Sequence, residues 1–175
     1  MQSKNYVLKR LLLATATSVV AFLSPVQANS WRAIDELVTE VEKTGTTVVI
    51  GYCQQRNVDG ETFDVMGYYQ FGGGVDQIKI CENNVDMGNA PLVWSVVSHE
   101  ATHVMQVCYG HGMADTIMKD EFIPEMKAEL SVKRPSYLRL IQDYPAAEHK
   151  VELEAFWMEF QPEQFVIESV AYFCD

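Results

Sequence analysis

The sequence is poor in basic residues, with 13 Lys and Arg against 24 Asp and Glu and a formal net charge of −11. A chain this acidic repels phosphate backbones, and it contains no basic patch with interleaved aromatic residues. Anionic membrane surfaces are disfavoured for the same reason. Nucleic acid and membrane surfaces are therefore excluded as expected partners.

The sequence also lacks a Cys-x-x-Cys pair, the spacing typical of cysteine-based zinc sites, although it contains four cysteines. An even number of separated cysteines in an exported chain is typical of disulfides. We therefore predict two intramolecular disulfides. Of the three possible pairings, we favour Cys53 with Cys81, because each follows a predicted strand. Cys108 with Cys174 would then join the end of a central helix to the last helix.

No long apolar run stands at the N-terminus, where residues 11–23 fall short of the roughly 20 that a membrane-spanning helix needs. Three basic residues precede this run, and small residues ending at Ala28 follow it. That order predicts a signal peptide over residues 1–28 and export to the periplasm or outside the cell; a membrane anchor is the alternative. Residues 29–175 are then long enough for one domain with its own core, which we expect to be monomeric.

Hydrophobic periodicity changes twice along the chain, from helical to strand-like and back to helical, and no internal repeat is found. A helix is predicted over residues 31–43, followed by three strands in an up-down-up meander over 46–52, 65–71 and 77–81. From residue 90 the pattern is helical, with helices predicted over 91–109, 115–130, 136–143, 146–160 and 162–173. Strands first and helices afterwards indicate an α+β domain.

The motif that carries chemistry is His99-Glu100-Ala101-Thr102-His103. Residues four apart lie on one face of a helix about 6 Å apart, so both imidazoles can reach one cation. Glu100 can meet a water molecule at that cation without being a ligand. The surrounding helix is apolar enough to be buried, with Asn89 as its cap and Gly110 as its end.

A catalytic zinc site needs a third protein ligand and an open position. His111 lies eight positions past His103 and lacks the glycine-containing continuation of the three-histidine zincins. We therefore expect a carboxylate from residues 148–159 as the third ligand.

A helical wheel separates the acidic residues of that segment. It groups Glu148, Glu152 and Glu159 beside apolar residues, and it places Glu154 beside Lys150 on the other side. Glu152 is the favoured ligand. Glu154 is the alternative, and we expect it to be solvated and paired with Lys150.

His-Glu-x-x-His followed by Glu-x-x-Ala on a later helix resembles the gluzincin zinc metallopeptidases. The resemblance implies a zincin-like fold, with His99, His103 and Glu152 as zinc ligands and Glu100 as the general base. It also implies Zn²⁺ as the cofactor and a peptide or protein as the substrate.

Two further expectations follow from the resemblance. Gluzincins often carry an aspartate that bonds the first histidine, at the position that Phe156 occupies here, so another acid such as Glu159 would take that role. An edge strand before the motif helix pairs with extended substrate in this fold. Residues 77–81 form the nearest upstream strand and are the candidate.

The expected function is therefore that of an exported zinc-dependent metallopeptidase. Four side chains could donate a hydrogen bond to the transition state, and the sequence does not choose among them: Tyr109, His111, Tyr68 and Tyr69. One alternative is a non-catalytic zincin-fold binding protein with a structural or absent zinc. Another is a secreted interaction module in which the motif is accidental.

Overall fold

A computed structural model describes residues 31–58, 61–110 and 115–175, so the predicted signal peptide lies outside the described residues. The first helix, α1, spans Trp31–Lys43, as predicted. Its apolar residues recur at helical spacing and bury one face of the helix, which includes Ile34, Leu37 and Val41.

Three strands form one small sheet: β1 (Thr47–Gly51), β4 (Gly67–Gly72) and β5 (Val75–Cys81). Their order is β1-β5-β4, with β5 parallel to β1 and antiparallel to β4. The strand directions are up-down-up as predicted, but the predicted meander is wrong, because β4 does not lie between β1 and β5. The expected edge position of residues 77–81 is wrong, because β5 is the central strand and buries Ile78 and Ile80. The edge strand on that side is β4.

A short turn explains this strand order. Gly72, Gly73 and Gly74 have positive φ angles of 108°, 62° and 84°, which glycine adopts without steric cost. They fold β5 back along β4 as a hairpin, and β1 then pairs with the far side of β5. A second, two-stranded sheet of β2 (Arg56–Val58) and β3 (Glu61–Phe63) was not predicted.

The motif lies on the central helix of the molecule, α2 (Ala90–Gly110). Asn89 caps this helix as predicted, because its side-chain Oδ1 accepts a hydrogen bond from the backbone N–H of Leu92 at 3.3 Å. The helix packs against α1, against β4 and β5, and against two later helices, so it is buried on most sides. Within the described residues, no helix is both long and apolar enough to cross a membrane.

In the described residues after α2, four more α-helices follow. They are α3 (Ile123–Lys133), α4 (Pro135–Leu140), α5 (His149–Met158) and α6 (Glu163–Cys174). Residues 115–119, predicted as the start of a helix, are not helical. The fold is α+β, with a small three-stranded sheet followed by helices, as the sequence indicates.

Both predicted disulfides are present with the predicted pairing. Cys53 and Cys81 join the ends of the parallel strands β1 and β5, with their Cα atoms 5.1 Å apart. Cys108 and Cys174 join the last turn of α2 to the last turn of α6, with their Cα atoms 5.0 Å apart. The second bridge therefore fixes α6 against the helix that carries the motif.

Candidate metal centre

Two helices bring three potential ligands together. His99 and His103 lie one turn apart on α2, with ring centroids 5.0 Å apart. Glu152, from α5, places Oε2 3.4 Å from Nε2 of His99 and Oε1 3.6 Å from Nε2 of His103. One ligand atom from each of these residues lies within 4.8 Å of the other two. The structure thus brings together the three residues that the sequence nominates as ligands.

The spacing and the unsatisfied atoms fit a metal ion. Atoms bound about 2.1 Å from a tetrahedral zinc ion lie about 3.4 Å from one another, close to the two separations measured here. Within the described part of the chain, Oε2 of Glu152 is buried and has no hydrogen-bond partner. A buried carboxylate oxygen without a partner is costly, and a cation at this position would satisfy it.

A carboxylate from α5's C-terminal end orients His99. Nδ1 of His99 lies 3.0 Å from Oε1 of Glu159, and a carboxylate can only accept, so the hydrogen is on Nδ1. Glu159 also accepts hydrogen bonds from the hydroxyls of Ser95 and Tyr137. Phe156 packs edge-on against the His99 ring, with a centroid distance of 4.6 Å. Glu159 therefore makes the hydrogen bond to the first histidine that was expected of another acid in place of Phe156. Nε2 of His99 is left facing Glu152.

Gln106, which the sequence analysis does not single out, contacts the second histidine. Its Oε1 lies 2.8 Å from Nδ1 of His103. Its Nε2 lies 3.0 Å from the carbonyl oxygen of Val151 and 2.9 Å from Oε2 of Glu154. The sequence could have identified Gln106 from its position three residues after His103, because a polar residue on the buried face of a helix needs hydrogen-bond partners.

The expected solvation of Glu154 is wrong. Glu154 is fully buried and accepts backbone hydrogen bonds from Ile117 and Met118 at 2.9 and 2.6 Å. Lys150 pairs with Asp120 instead. The physical reason is that residues 117–118 cover the side of α5 that the helical wheel assigns to solvent. Burial raises the pKa of Glu154, although these hydrogen bonds oppose the shift.

Glu100 lies beside the ligands and against the edge strand β4. It is buried, and it accepts a hydrogen bond from the backbone N–H of Tyr69. A Cβ atom on Gly67 would lie 2.6 Å from Cγ1 of Val96 and 3.5 Å from Cγ of Glu100. The absence of a side chain at Gly67 thus lets β4 approach the motif helix closely.

Burial and charge perturb the titration of all four motif and ligand residues. Burial raises the pKa of Glu100 to about 7 and lowers the pKa of His103 to about 4, the nearby His99 adding to the second shift. Burial also opposes the charged form of His99, but the adjacent carboxylate of Glu152 and the hydrogen-bonded carboxylate of Glu159 outweigh it and hold the pKa of His99 well above its usual value. The two imidazoles likewise hold the pKa of Glu152 below its ordinary value despite burial.

The four side chains suggested as transition-state donors lie in different surroundings. The hydroxyl of Tyr69 donates to Asp76, so only its backbone N–H is directed at Glu100. Tyr68 alternates with Tyr69 along β4 and points to the opposite face of the sheet. Tyr109 lies half exposed in the last turn of α2, and His111 lies outside the described residues.

Comparison with known proteins assigns a family. A family model described as a domain of unknown function, DUF8637, matches residues 59–174, about two thirds of the chain. The chain belongs to this family, and the match contains every residue of the candidate metal centre. No curated protein and no solved structure matches the chain.

Proposed function

We propose that this member of the DUF8637 family is an exported zinc-dependent metallopeptidase that hydrolyses peptide bonds in peptides or proteins. The observation that supports the proposal is the convergence of His99, His103 and Glu152, whose ligand atoms lie within 4.8 Å of one another. Glu100 adjoins this group on the same helix and is not itself a ligand. A purely structural site would have no use for it.

The residues have distinct roles in this proposal. When bound, zinc would supply Lewis acidity and lower the pKa of a coordinated water to about 7. Both histidines would turn Nε2 towards it, because each Nδ1 faces an oxygen acceptor. Glu100 would accept the proton of the attacking water and later pass it to the leaving amine. The N–H of Tyr69 restrains the Glu100 carboxylate while it does so.

The free edge of β4 is the proposed docking strand for substrate, in place of residues 77–81. Cys81 donates its N–H to the carbonyl of Met66, which sets the alternation of the ladder. By that alternation the backbone groups of Gly67, Tyr69 and Phe71 point away from β5 and towards the free edge. An extended peptide could pair next to Glu100 with the backbone groups of Gly67 and Phe71 and with the carbonyl of Tyr69, whose N–H is directed at Glu100.

Metal analysis and peptide hydrolysis test the proposal together. Purified, oxidised protein is expected to contain one zinc per chain and to hydrolyse members of a peptide library. His103→Ala should lose both zinc and activity. Wild-type protein that binds no zinc, or that binds zinc and cleaves no peptide, would overturn the proposed peptidase.

A second candidate is a non-catalytic protein that holds zinc in the same site. It is favoured by the low exposure of His99, Glu100, His103 and Glu152, at 9%, 6%, 5% and 7%, because a substrate needs access to the metal. Stoichiometric zinc without hydrolysis would select this candidate. A chain without zinc would leave the interaction module with an accidental motif.

A further inference from the structure

Gln106 lies between a proposed ligand and a buried carboxylate. Its side chain is fully buried, and both ends of its amide have partners. The oxygen faces Nδ1 of His103, and the nitrogen faces the carbonyl of Val151 and the carboxylate of Glu154. The amide thus connects His103 on α2 to two acceptors on α5.

The partners of the Gln106 amide determine which atom donates in each of its hydrogen bonds. A backbone carbonyl and a carboxylate can only accept, so the NH₂ group of Gln106 must face Val151 and Glu154. The amide oxygen is then left for His103, whose Nδ1 must carry the hydrogen. The lone pair of the neutral ring is consequently on Nε2, which lies 3.6 Å from Oε1 of Glu152. The opposite orientation of the amide would put its oxygen against the carbonyl oxygen of Val151 and the carboxylate of Glu154, so that acceptors would face acceptors.

Glu154 is itself held firmly. Its Oε2 accepts from the backbone N–H of Ile117 as well as from Gln106, and its Oε1 accepts from the backbone N–H of Met118. Three N–H donors compensate a carboxylate that is fully buried. The carboxylate is therefore a fixed acceptor. It sets the orientation of the Gln106 amide, and the amide sets the position of the hydrogen on His103.

We propose that Glu154 is a positioning residue for His103: acting through Gln106, it selects the Nδ1–H tautomer and aims Nε2 at the metal. The same carboxylate joins residues 117–118 to the metal centre, so the order of that segment and the orientation of the ligand depend on one group. The effect on zinc rests on the proposed function. The selection of the tautomer does not, because it is a property of the metal-free chain.

We call the hydrogen bonds that run from Glu154 through Gln106 to His103 the relay. Two variants interrupt it at different points. Gln106→Met keeps the approximate length of the side chain and leaves both backbone hydrogen bonds of Glu154 intact. Glu154→Gln changes a single atom, and in either orientation its NH₂ group faces another N–H donor. Leu153→Val is the matched control, because it trims a buried neighbour on α5 outside the relay.

Two readouts are measured at one mildly alkaline pH. The ¹⁵N shifts of the His103 ring in metal-free protein report the tautomer, which is expected to be Nδ1–H in wild type and in Leu153→Val and to become mixed in both relay variants. Zinc affinity, from competition with a chelator, is expected to fall about 10- to 100-fold in both relay variants and not in the control. Amide exchange at Ile117 and Met118 should accelerate in Glu154→Gln only.

The outcomes separate the two proposals. Folded relay variants that keep the wild-type tautomer and zinc affinity would overturn the positioning role while the peptidase proposal stands. If wild type binds no zinc, the proposed function fails, and the ring shifts still decide whether Glu154 sets the tautomer. If Glu154→Gln does not fold, Gln106→Met decides the question alone.

Discussion

Nδ1 of His99 lies 3.0 Å from Oε1 of Glu159, a residue 60 positions further along the chain. The contact joins α2 to the end of α5, the helix that also supplies Glu152. Glu159 thereby fixes one ligand from the same helix that provides another. The hydroxyls of Ser95 and Tyr137 donate to the other oxygen of Glu159 and hold it in place.

Glu159→Ala should weaken zinc binding about 10- to 100-fold, because His99 loses the acceptor that fixes its ring. It should also lower the free energy of unfolding by about 1–3 kcal/mol, because buried donors lose their partner. Glu168→Ala, an exposed acid on α6, is the control. Zinc competition and urea unfolding measure the two effects. Unchanged zinc affinity in a folded Glu159→Ala variant would contradict this role.

Glu100→Gln should keep zinc and fold while nearly all hydrolysis is lost. The substitution removes the proposed base and leaves His99, His103 and Glu152 intact. An amide oxygen can still accept from the N–H of Tyr69, so β4 should stay in place. Zinc content, melting temperature and peptide hydrolysis are measured side by side. Loss of zinc together with activity would show that Glu100 acts in metal binding.

Glu152→Ala should mainly lower zinc affinity, whereas Glu154→Ala should lower both zinc affinity, through Gln106 and His103, and the stability of the metal-free protein. Glu152→Ala removes a ligand and should cost several kcal/mol of zinc binding, while the metal-free protein loses a carboxylate that has one oxygen, Oε2, without a hydrogen-bond partner. Glu154→Ala strips the acceptor from Gln106, Ile117 and Met118. It should destabilise the metal-free protein by about 1–3 kcal/mol for each group left unsatisfied.

Melting temperatures of wild type, Glu152→Ala and Glu154→Ala are compared with and without chelator. In wild type, zinc bound only to the native state should raise the melting temperature, and chelator should remove the increase. Glu152→Ala should show no such increase. A metal-free Glu154→Ala variant as stable as wild type would show that its buried hydrogen bonds contribute little.

Gly67→Ala should destabilise the protein by about 1–3 kcal/mol, because the new methyl group would overlap Val96 and press on the backbone of Lys79. Displacement of β4 should also reduce hydrolysis, because the strand contacts Glu100. Gly51→Ala on β1 is the matched control, since its Cβ would meet only the flexible end of Lys79 at 3.5 Å. Equal stability of the two variants would argue against a close fit between β4 and α2.

Replacing Cys108 and Cys174 together by serine should lower the free energy of unfolding by about 4 kcal/mol in the chain-entropy view, since the bridge closes a loop of 66 residues. Amide exchange in α6 should accelerate most. The comparison is the double replacement of Cys53 and Cys81, whose disulfide closes a 28-residue loop. It should accelerate amide exchange in α6 less. Urea unfolding under oxidising conditions measures both.

Local sequence signals predicted the elements that carry the site. The α1 boundaries and the Asn89 cap follow from periodicity and capping chemistry within a few residues of chain. His99 and His103 share a face because helix geometry alone puts them there. The disulfide pairing followed from the order of elements, which places Cys53 and Cys81 at the same end of two parallel strands.

What the sequence could not predict depends on contacts between distant segments. The wheel for α5 compares residues of one helix, so it cannot register that residues 117–118 cover Glu154. The short glycine turn gives the opposite directions of β4 and β5 but not which strand lies in the centre, because that depends on where β1 pairs. The hairpin of β2 and β3 does have a local signal, because Asp59-Gly60 is a dipeptide typical of two-residue hairpin turns.

The two disulfides enclose separate stretches of chain, residues 53–81 and 108–174, that do not overlap. A single backbone break inside either closed loop leaves both fragments covalently joined. One break between residues 82 and 107 would instead detach the sheet from the helices that follow. Most of that span is the buried motif helix, so the turn at residues 82–89, where Glu82, Asp86 and Gly88 are exposed, is where one cleavage could separate the part of the protein that contains the first disulfide from the part that contains the second.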